Sequence, residues 1–126
     1  MVIESLQFLL VSESECTLSG SLSTDTAQRA LAGLFETLHL RVEASSVSAF
    51  QVDVRKLEFV NSSAIRLFVN WISRAQSCDY ELTFIIDRSI TWHRLTFSTL
   101  RSLAPETVNV VDGGAGAALQ QEESHQ

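Results

Sequence analysis

Asp53-Val54-Arg55-Lys56-Leu57-Glu58-Phe59-Val60-Asn61-Ser62-Ser63-Ala64-Ile65 is the stretch on which the reading of the fold turns. It begins inside a short, β-prone and mostly apolar run, residues 47–54, which predicts a strand at the centre of a sheet and covered on both faces. It ends on Asn61, Ser62 and Ser63, whose side-chain oxygens suit a helix start, followed by Ala64, Ile65, Phe68, Val69, Ile72 and Ala75 at helical spacing. A helix is predicted from about Ser63 to Gln76. A central strand thus delivers the chain to an exposed helix tip.

The flanking segments repeat this alternation. Ile3–Val11 and Glu15–Ser19 are β-prone runs separated by Ser12-Glu13-Ser14, which predicts a hairpin closed off by Gly20. Ser23, Thr24 and Asp25 can cap a helix from about Asp25 to Leu40, with Ala27, Leu31, Leu34, Phe35 and Leu38 on one face. Tyr80–Ile86 reads as a strand, and Trp92–Leu103 as a helix with Leu95, Leu100 and Leu103 inward. Thr107–Val111 reads as a last strand after Pro105. The order β-β-α-β-α-β-α-β predicts an α/β fold, a mixed β-sheet with helices packed on it and right-handed crossovers.

Residues 1–112 are expected to form one domain. Residues 113–126, glycine-rich and then polar, are expected to be a flexible tail, because they offer too little apolar surface to repay their ordering entropy.

Composition narrows the function. With 126 residues there is core enough for a single domain. Fifteen acidic against nine basic residues give a net charge of −6, the wrong sign for neutralising a phosphate backbone, so no direct nucleic-acid partner is expected. No apolar run approaches the roughly 18–20 residues of a membrane span, and the apolar start carries Glu4 and Gln7 without a preceding basic region. A soluble, cytoplasmic chain without signal peptide or membrane insertion is expected. Cys16 and Cys78 are far apart and are expected to be buried, reduced thiols. His39, His93 and His125 show no metal-ligand spacing and read as surface or capping residues, so neither metal nor cofactor is expected. Asp53, Glu58 and Asp87 read as solvated turn charges, and no nucleophile with an identifiable base is visible.

The segment Asp53 to Ile65 resembles the signature of the STAS domain family: a central strand, a Leu-x-Phe turn, then Asp-Ser-Ser-Gly opening a helix. Leu18-Ser19-Gly20-Ser21-Leu22 falls where that family has its Gly-Glu-Leu-Asp element, and the element order agrees over about residues 2–111. Asn61 stands in place of the family's Asp and Ala64 in place of its Gly. In part the chain resembles a small bacterial branch with Asn-Ser-Ser and a tryptophan after the fourth strand, here Trp92; Ala64 still departs from it.

The resemblance implies an anti-sigma factor antagonist: a non-catalytic, partner-switching module of signal transduction and transcription regulation. Its implied partners are a GHKL-type serine kinase that is itself the anti-sigma factor, and a phosphatase. It places the phosphoacceptor on Ser62, with Asn61, Ser63 and Ala64 as neighbours. The positive end of a helix dipole tolerates a phosphate at such a position, and a dianion desolvated in a docked interface would break binding. The same residues are also ordinary caps, and Asn61 lacks the carboxylate that could help orient phosphoryl transfer.

Helical winding leaves Leu67 outward and Trp71 on the flank of the same helix, beside Ser63, Arg66, Asn70 and Arg74. An apolar pair with a polar rim predicts a docking face of Arg66, Leu67, Asn70, Trp71 and Arg74, in which Trp71→Ala would weaken binding more than stability. A tail or third helix covering Trp71 is the competing expectation. Two other functions remain open: an accessory subunit clamped to an ABC transporter ATPase without phosphorylation, and a small enzyme of unrecognised type.

Overall fold

The computed structural model describes residues 6–45 and 47–113. The stretch predicted as tail beyond residue 113 and the start of the first predicted strand lie outside the described residues. β1 (Gln7–Ser12) and β2 (Glu15–Leu22) form the expected antiparallel hairpin, with the Ser14 N–H donating to Ser12 Oγ at 3.2 Å in its turn. α1 spans Asp25–Ala44, β3 Ala49–Val60, α2 Ser62–Ser77, β4 Glu81–Ile86, α3 Thr91–Leu103 and β5 Val108–Asp112. The five strands lie in sequence order; β1 is antiparallel to β2, while the pairs β2–β3, β3–β4 and β4–β5 are parallel, so the sheet is mixed, as expected.

Three boundaries differ from the sequence reading for identifiable reasons. Gly20 does not end β2. It adopts φ 98°, beyond the reach of most side chains, where the register with β3 shifts, and the strand bends and continues to Leu22. β3 runs past Val54 to Val60, because Leu57 is buried and pairs with Gly20 while Lys56 and Glu58 point outward. α1 continues past Leu40 because Val42 is still buried, and Ser45 then caps it on the carbonyl of Val42.

β3 is the central strand, but only one sheet face is packed by helices, contrary to the expectation of two. Phe50, Leu82 and Val108 form one buried row, while Gln51, Thr83 and Asn109 form a row on the opposite, partly exposed face. Aromatic rings bind the helices to the buried face. Phe68 of α2 meets Phe84 of β4 at 5.9 Å and Phe97 of α3 at 5.7 Å between ring centroids. Trp71 stacks on Phe35 of α1 at 4.4 Å and meets Phe50 of β3 at 6.0 Å.

Trp71 is therefore a core residue, 1% exposed, and is covered by α1; the tail of the competing expectation lies outside the described residues. The Trp71 indole N–H donates to the Tyr80 hydroxyl at 2.9 Å. α3 is turned relative to the expected phase: His93, Phe97 and Leu100 face inward, whereas Leu95 and Leu103 are 60% and 64% exposed. The aromatic Phe97, meeting the rings of Phe68 and Phe84 from α2 and β4, decides that orientation over the leucines.

The ends of the sheet are pinned by Asp53 and Arg55. Far from being a solvated turn charge, Asp53 lies in β3 and accepts from Arg55 through both oxygens, Nε to Oδ1 at 3.0 Å and Nη2 to Oδ2 at 2.7 Å. Arg55 also donates to the Gly113 carbonyl, and the Gly113 N–H donates to the Ile86 carbonyl at 2.8 Å. Gly113, assigned to the tail by composition, is held by the domain.

Two outcomes follow from this packing. Trp71→Ala removes a fully packed ring and should lower the unfolding free energy by about 3–5 kcal/mol in urea denaturation. Burial raises the Asp53 carboxyl, but hydrogen bonds from the Arg55 side chain and backbone and the charges of Arg55 and Lys56 outweigh it and hold it below the ordinary range. Its contribution is present above the unfolded value of about 4 and is lost as pH falls through the lower folded value. Asp53→Asn should therefore be less stable than wild type at neutral pH, the gap closing as melts are taken at progressively lower pH below about 4.

Candidate docking site at the start of the second helix

The tip of α2 is built by β3, which continues beyond its neighbour. The β3–β4 ladder ends at Asp53 and Ile85, so the later residues of β3 have no strand on that side. Two side chains of α3 take its place: His93 Nε2 donates to the Leu57 carbonyl at 2.8 Å and Trp92 Nε1 to the Glu58 carbonyl at 3.1 Å. His93 is fully buried, not a surface or capping residue, and its Nδ1 accepts the Asp87 N–H at 3.2 Å, which fixes the ring in the Nε2–H tautomer. The strand is thus stiff up to the point where Asn61 turns it into the helix.

Asn61 is the N-cap, in extended backbone, with its side-chain oxygen accepting the Ala64 N–H at 3.0 Å. Ser62 and Ser63 are exposed in the first turn, where backbone N–H groups have no carbonyl partner within the helix. Ala64 is fully buried. The first turn carries no acidic residue, and Arg66, exposed, lies one turn beyond Ser62. The arrangement leaves an accessible hydroxyl in a locally positive field.

The predicted docking residues separate into two groups. Arg66, Asn70 and Arg74 are exposed and Leu67 is half-buried, whereas Trp71 is withdrawn into the core and is not a surface anchor. Leu67, Asn70, Trp71 and Arg74 nevertheless line one groove of about 270 Å³, closed on its other side by Ala32, Phe35 and Glu36 of α1. Arg74 forms an ion pair with Glu36 across it. The α1 wall had no signal in the sequence, since only packing of the two helices creates it.

Other chemistry-bearing groups are held quiet or lie elsewhere. Cys16 is buried, and burial, with Asp53 and Glu15 adding to it, pushes its thiol up to about 12. Cys78 is exposed, contrary to expectation, and donates to Glu43 Oε2 at 3.1 Å, which also raises its thiol. His39, read as a surface residue, is 3% exposed and has Nδ1 2.7 Å from the Tyr80 hydroxyl. Among the described residues no helix is long and apolar enough to cross a membrane.

No protein-family model matches the chain, and no curated protein matches it in sequence. Solved structures do match. The unphosphorylated form of SpoIIAA, an anti-sigma factor antagonist, superposes with a TM-score of 0.59 at 14% identity, over 94% of this chain and 96% of that one. SpoIIAA in its phosphorylated form, described as a Bacillus cell fate determinant, gives 0.59 at 16% identity over 93% and 98%. The chain shares the SpoIIAA fold. The mixed five-stranded sheet, three helices and β-β-α-β-α-β-α-β order agree with the expected STAS-like architecture.

The cap makes a direct prediction. Asn61→Ala should cost about 1 kcal/mol in equilibrium urea unfolding. Asn61→Asp keeps the acceptor and adds a charge at the positive helix end, so it should be at least as stable as wild type at neutral pH, by about 0.3–1 kcal/mol at low salt.

Proposed function

We propose that this chain is a cytoplasmic, non-catalytic regulatory module of the anti-sigma factor antagonist type, switched by phosphorylation at Ser62. The observation that carries the reading is the exposed Ser62 hydroxyl in the first turn of a capped helix, on a fold shared with a protein known in phosphorylated and unphosphorylated forms. The chain would then represent a bacterial branch in which Asn-Ser-Ser replaces Asp-Ser-Ser. Its partner would be a GHKL-type serine kinase acting as an anti-sigma factor, with a phosphatase restoring the hydroxyl.

Docking would use the tip and outer face of α2: Asn61, Ser62, Ser63, Arg66, Leu67, Asn70 and Arg74. Trp71 supports this face from beneath by packing on Phe35. A phosphate on Ser62 brings a charge of roughly −1.5 to −2, favoured by the free protein's helix end and by Arg66 but costly when desolvated against a partner.

A second reading, an accessory subunit gripping a transporter ATPase without phosphorylation, is favoured by one feature: Asn61 brings no carboxylate and its side-chain oxygen is committed to the cap. The two readings separate in one set of measurements. Incubation with the kinase encoded beside its gene and ATP should add one phosphate to wild type and none to Ser62→Ala, by intact-mass spectrometry. Ser62→Asp should weaken binding to that kinase at least roughly ten-fold, about 1.4 kcal/mol. Absence of phosphate on wild type, together with an ATPase complex indifferent to Ser62→Asp, would establish the second reading instead.

A further inference from the structure

At the opposite end of α2, three side chains converge that the docking reading does not use. His39 and Glu43 stand one turn apart on α1, and Cys78 caps the C-terminus of α2. His39 Nε2 lies 3.4 Å from Glu43 Oε1 and 3.9 Å from Cys78 Sγ, and Cys78 Sγ lies 3.1 Å from Glu43 Oε2. We propose that His39, Glu43 and Cys78 form a binding site for a borderline-soft divalent cation, with zinc the best fit.

The distances carry the argument. Tetrahedral zinc with nitrogen and oxygen at about 2.0–2.2 Å and sulfur at about 2.3 Å requires ligand atoms about 3.3–3.6 Å apart. Nε2 to Oε1 at 3.4 Å meets that value, Nε2 to Sγ at 3.9 Å is slightly longer, and with one ligand atom from each residue all three lie within 4.8 Å of one another, so a small side-chain rotation completes the set. The donor set, one imidazole, one carboxylate and one thiol, matches zinc rather than magnesium or calcium, which take oxygen.

The surroundings hold the donors in place. The His39 ring is buried, and its Nδ1 meets the Tyr80 hydroxyl at 2.7 Å, leaving Nε2 aimed at Glu43 and Cys78. Tyr80 is in turn fixed by the Trp71 indole at 2.9 Å, an outer partner of the kind that orients metal-bound histidines. Cys78 is set by the backbone: Tyr80 N–H donates to the Ala75 carbonyl at 3.1 Å and Asp79 takes φ 60°, a helix stop that turns the chain back beside α1. An opening of about 420 Å³, lined in part by Glu43, Ser45, Cys78, Asp79 and Tyr80, leaves space for a fourth ligand from solvent.

On binding, the Cys78 thiol gives its proton to solvent and the sulfur becomes the ligand, while His39 donates through Nδ1–H to the Tyr80 oxygen. The cation would tie the end of α1 to the end of α2. The proposal uses none of the residues at the α2 tip, so it stands or falls independently of the docking function.

The test is a titration of the reduced, chelator-stripped full chain with cobalt as a spectroscopic substitute, followed by displacement with zinc. One cobalt per chain, with four-coordinate ligand-field bands and a thiolate-to-cobalt charge-transfer band, is expected. Cys78 is exposed, so Cys78→Ser should fold normally by circular dichroism, lose the charge-transfer band and weaken cobalt binding roughly ten-fold or more; Glu43→Gln should weaken it and Cys16→Ser should not. Zinc should also slow alkylation of Cys78 by iodoacetamide. No saturable band, or a band that survives Cys78→Ser, overturns the site and leaves an ordinary His39–Glu43 pair with a thiol hydrogen bond.

Discussion

The hydrogen bonds from His93 and Trp92 to the carbonyls of Leu57 and Glu58 are the constraint on which the candidate docking site depends. A parallel strand that outruns its neighbour exposes backbone groups that must find partners. Here two side chains at the start of α3 provide them, so the strand stays extended for seven residues beyond the last β3–β4 pair, Asp53 with Ile85. Only with that extension does the chain reach Asn61 on a rigid path. The helix tip is therefore placed by α3 as much as by β3.

A second chain of contacts fixes the other end of α2. Trp71 packs on Phe35 and donates to Tyr80, Tyr80 meets His39, and His39 faces Glu43 and Cys78. Burying indole and phenol requires partners for their polar atoms, and each supplies the other's. The outcome is a polar thread through an otherwise apolar contact between α1 and α2. It locks the relative position of these helices, and with it the shape of the groove between Leu67 and Glu36.

All eight elements in the described residues were legible in the sequence, because their apolar periodicities differ and Ser, Thr and Asn mark the two capped helix starts. What was not legible depended on choices between competing apolar faces. Leu95 and Leu103 matched a helical stripe as well as Phe97 did, and only the rings of Phe68 and Phe84 decide for Phe97. Trp71 sat on the flank of its own helix, and a wheel drawn for one helix cannot show a second helix closing over it. The continuation of β3 was obscured by Lys56 and Glu58, which alternate outward on a strand whose Leu57 is buried between them. At the tip, Asn61, Ser62, Ser63 and Arg66 are local features and stand where the spacing put them. The α1 wall of the groove and the His39–Glu43–Cys78 cluster join residues 30 or more positions apart and have no local signature.

The two ends of α2 differ in what they leave available. At the C-terminal end the amides of Cys78, Asp79 and Tyr80 already donate to the carbonyls of residues 74–76, so the backbone there is satisfied. At the N-terminal end Asn61 satisfies the Ala64 amide, while Ser62 and Ser63, in the first turn where amides lack an intrahelical carbonyl, are exposed with a hydroxyl each. A negative group added at Ser62 meets donors and the positive helix end without displacing the cap or any core side chain. The fold has little reason to respond to such a group, whereas a macromolecule pressed against the tip would have to desolvate it. In the proposed switch the energy change accordingly falls on the complex and not on the domain, so a module without moving parts can still be turned on and off.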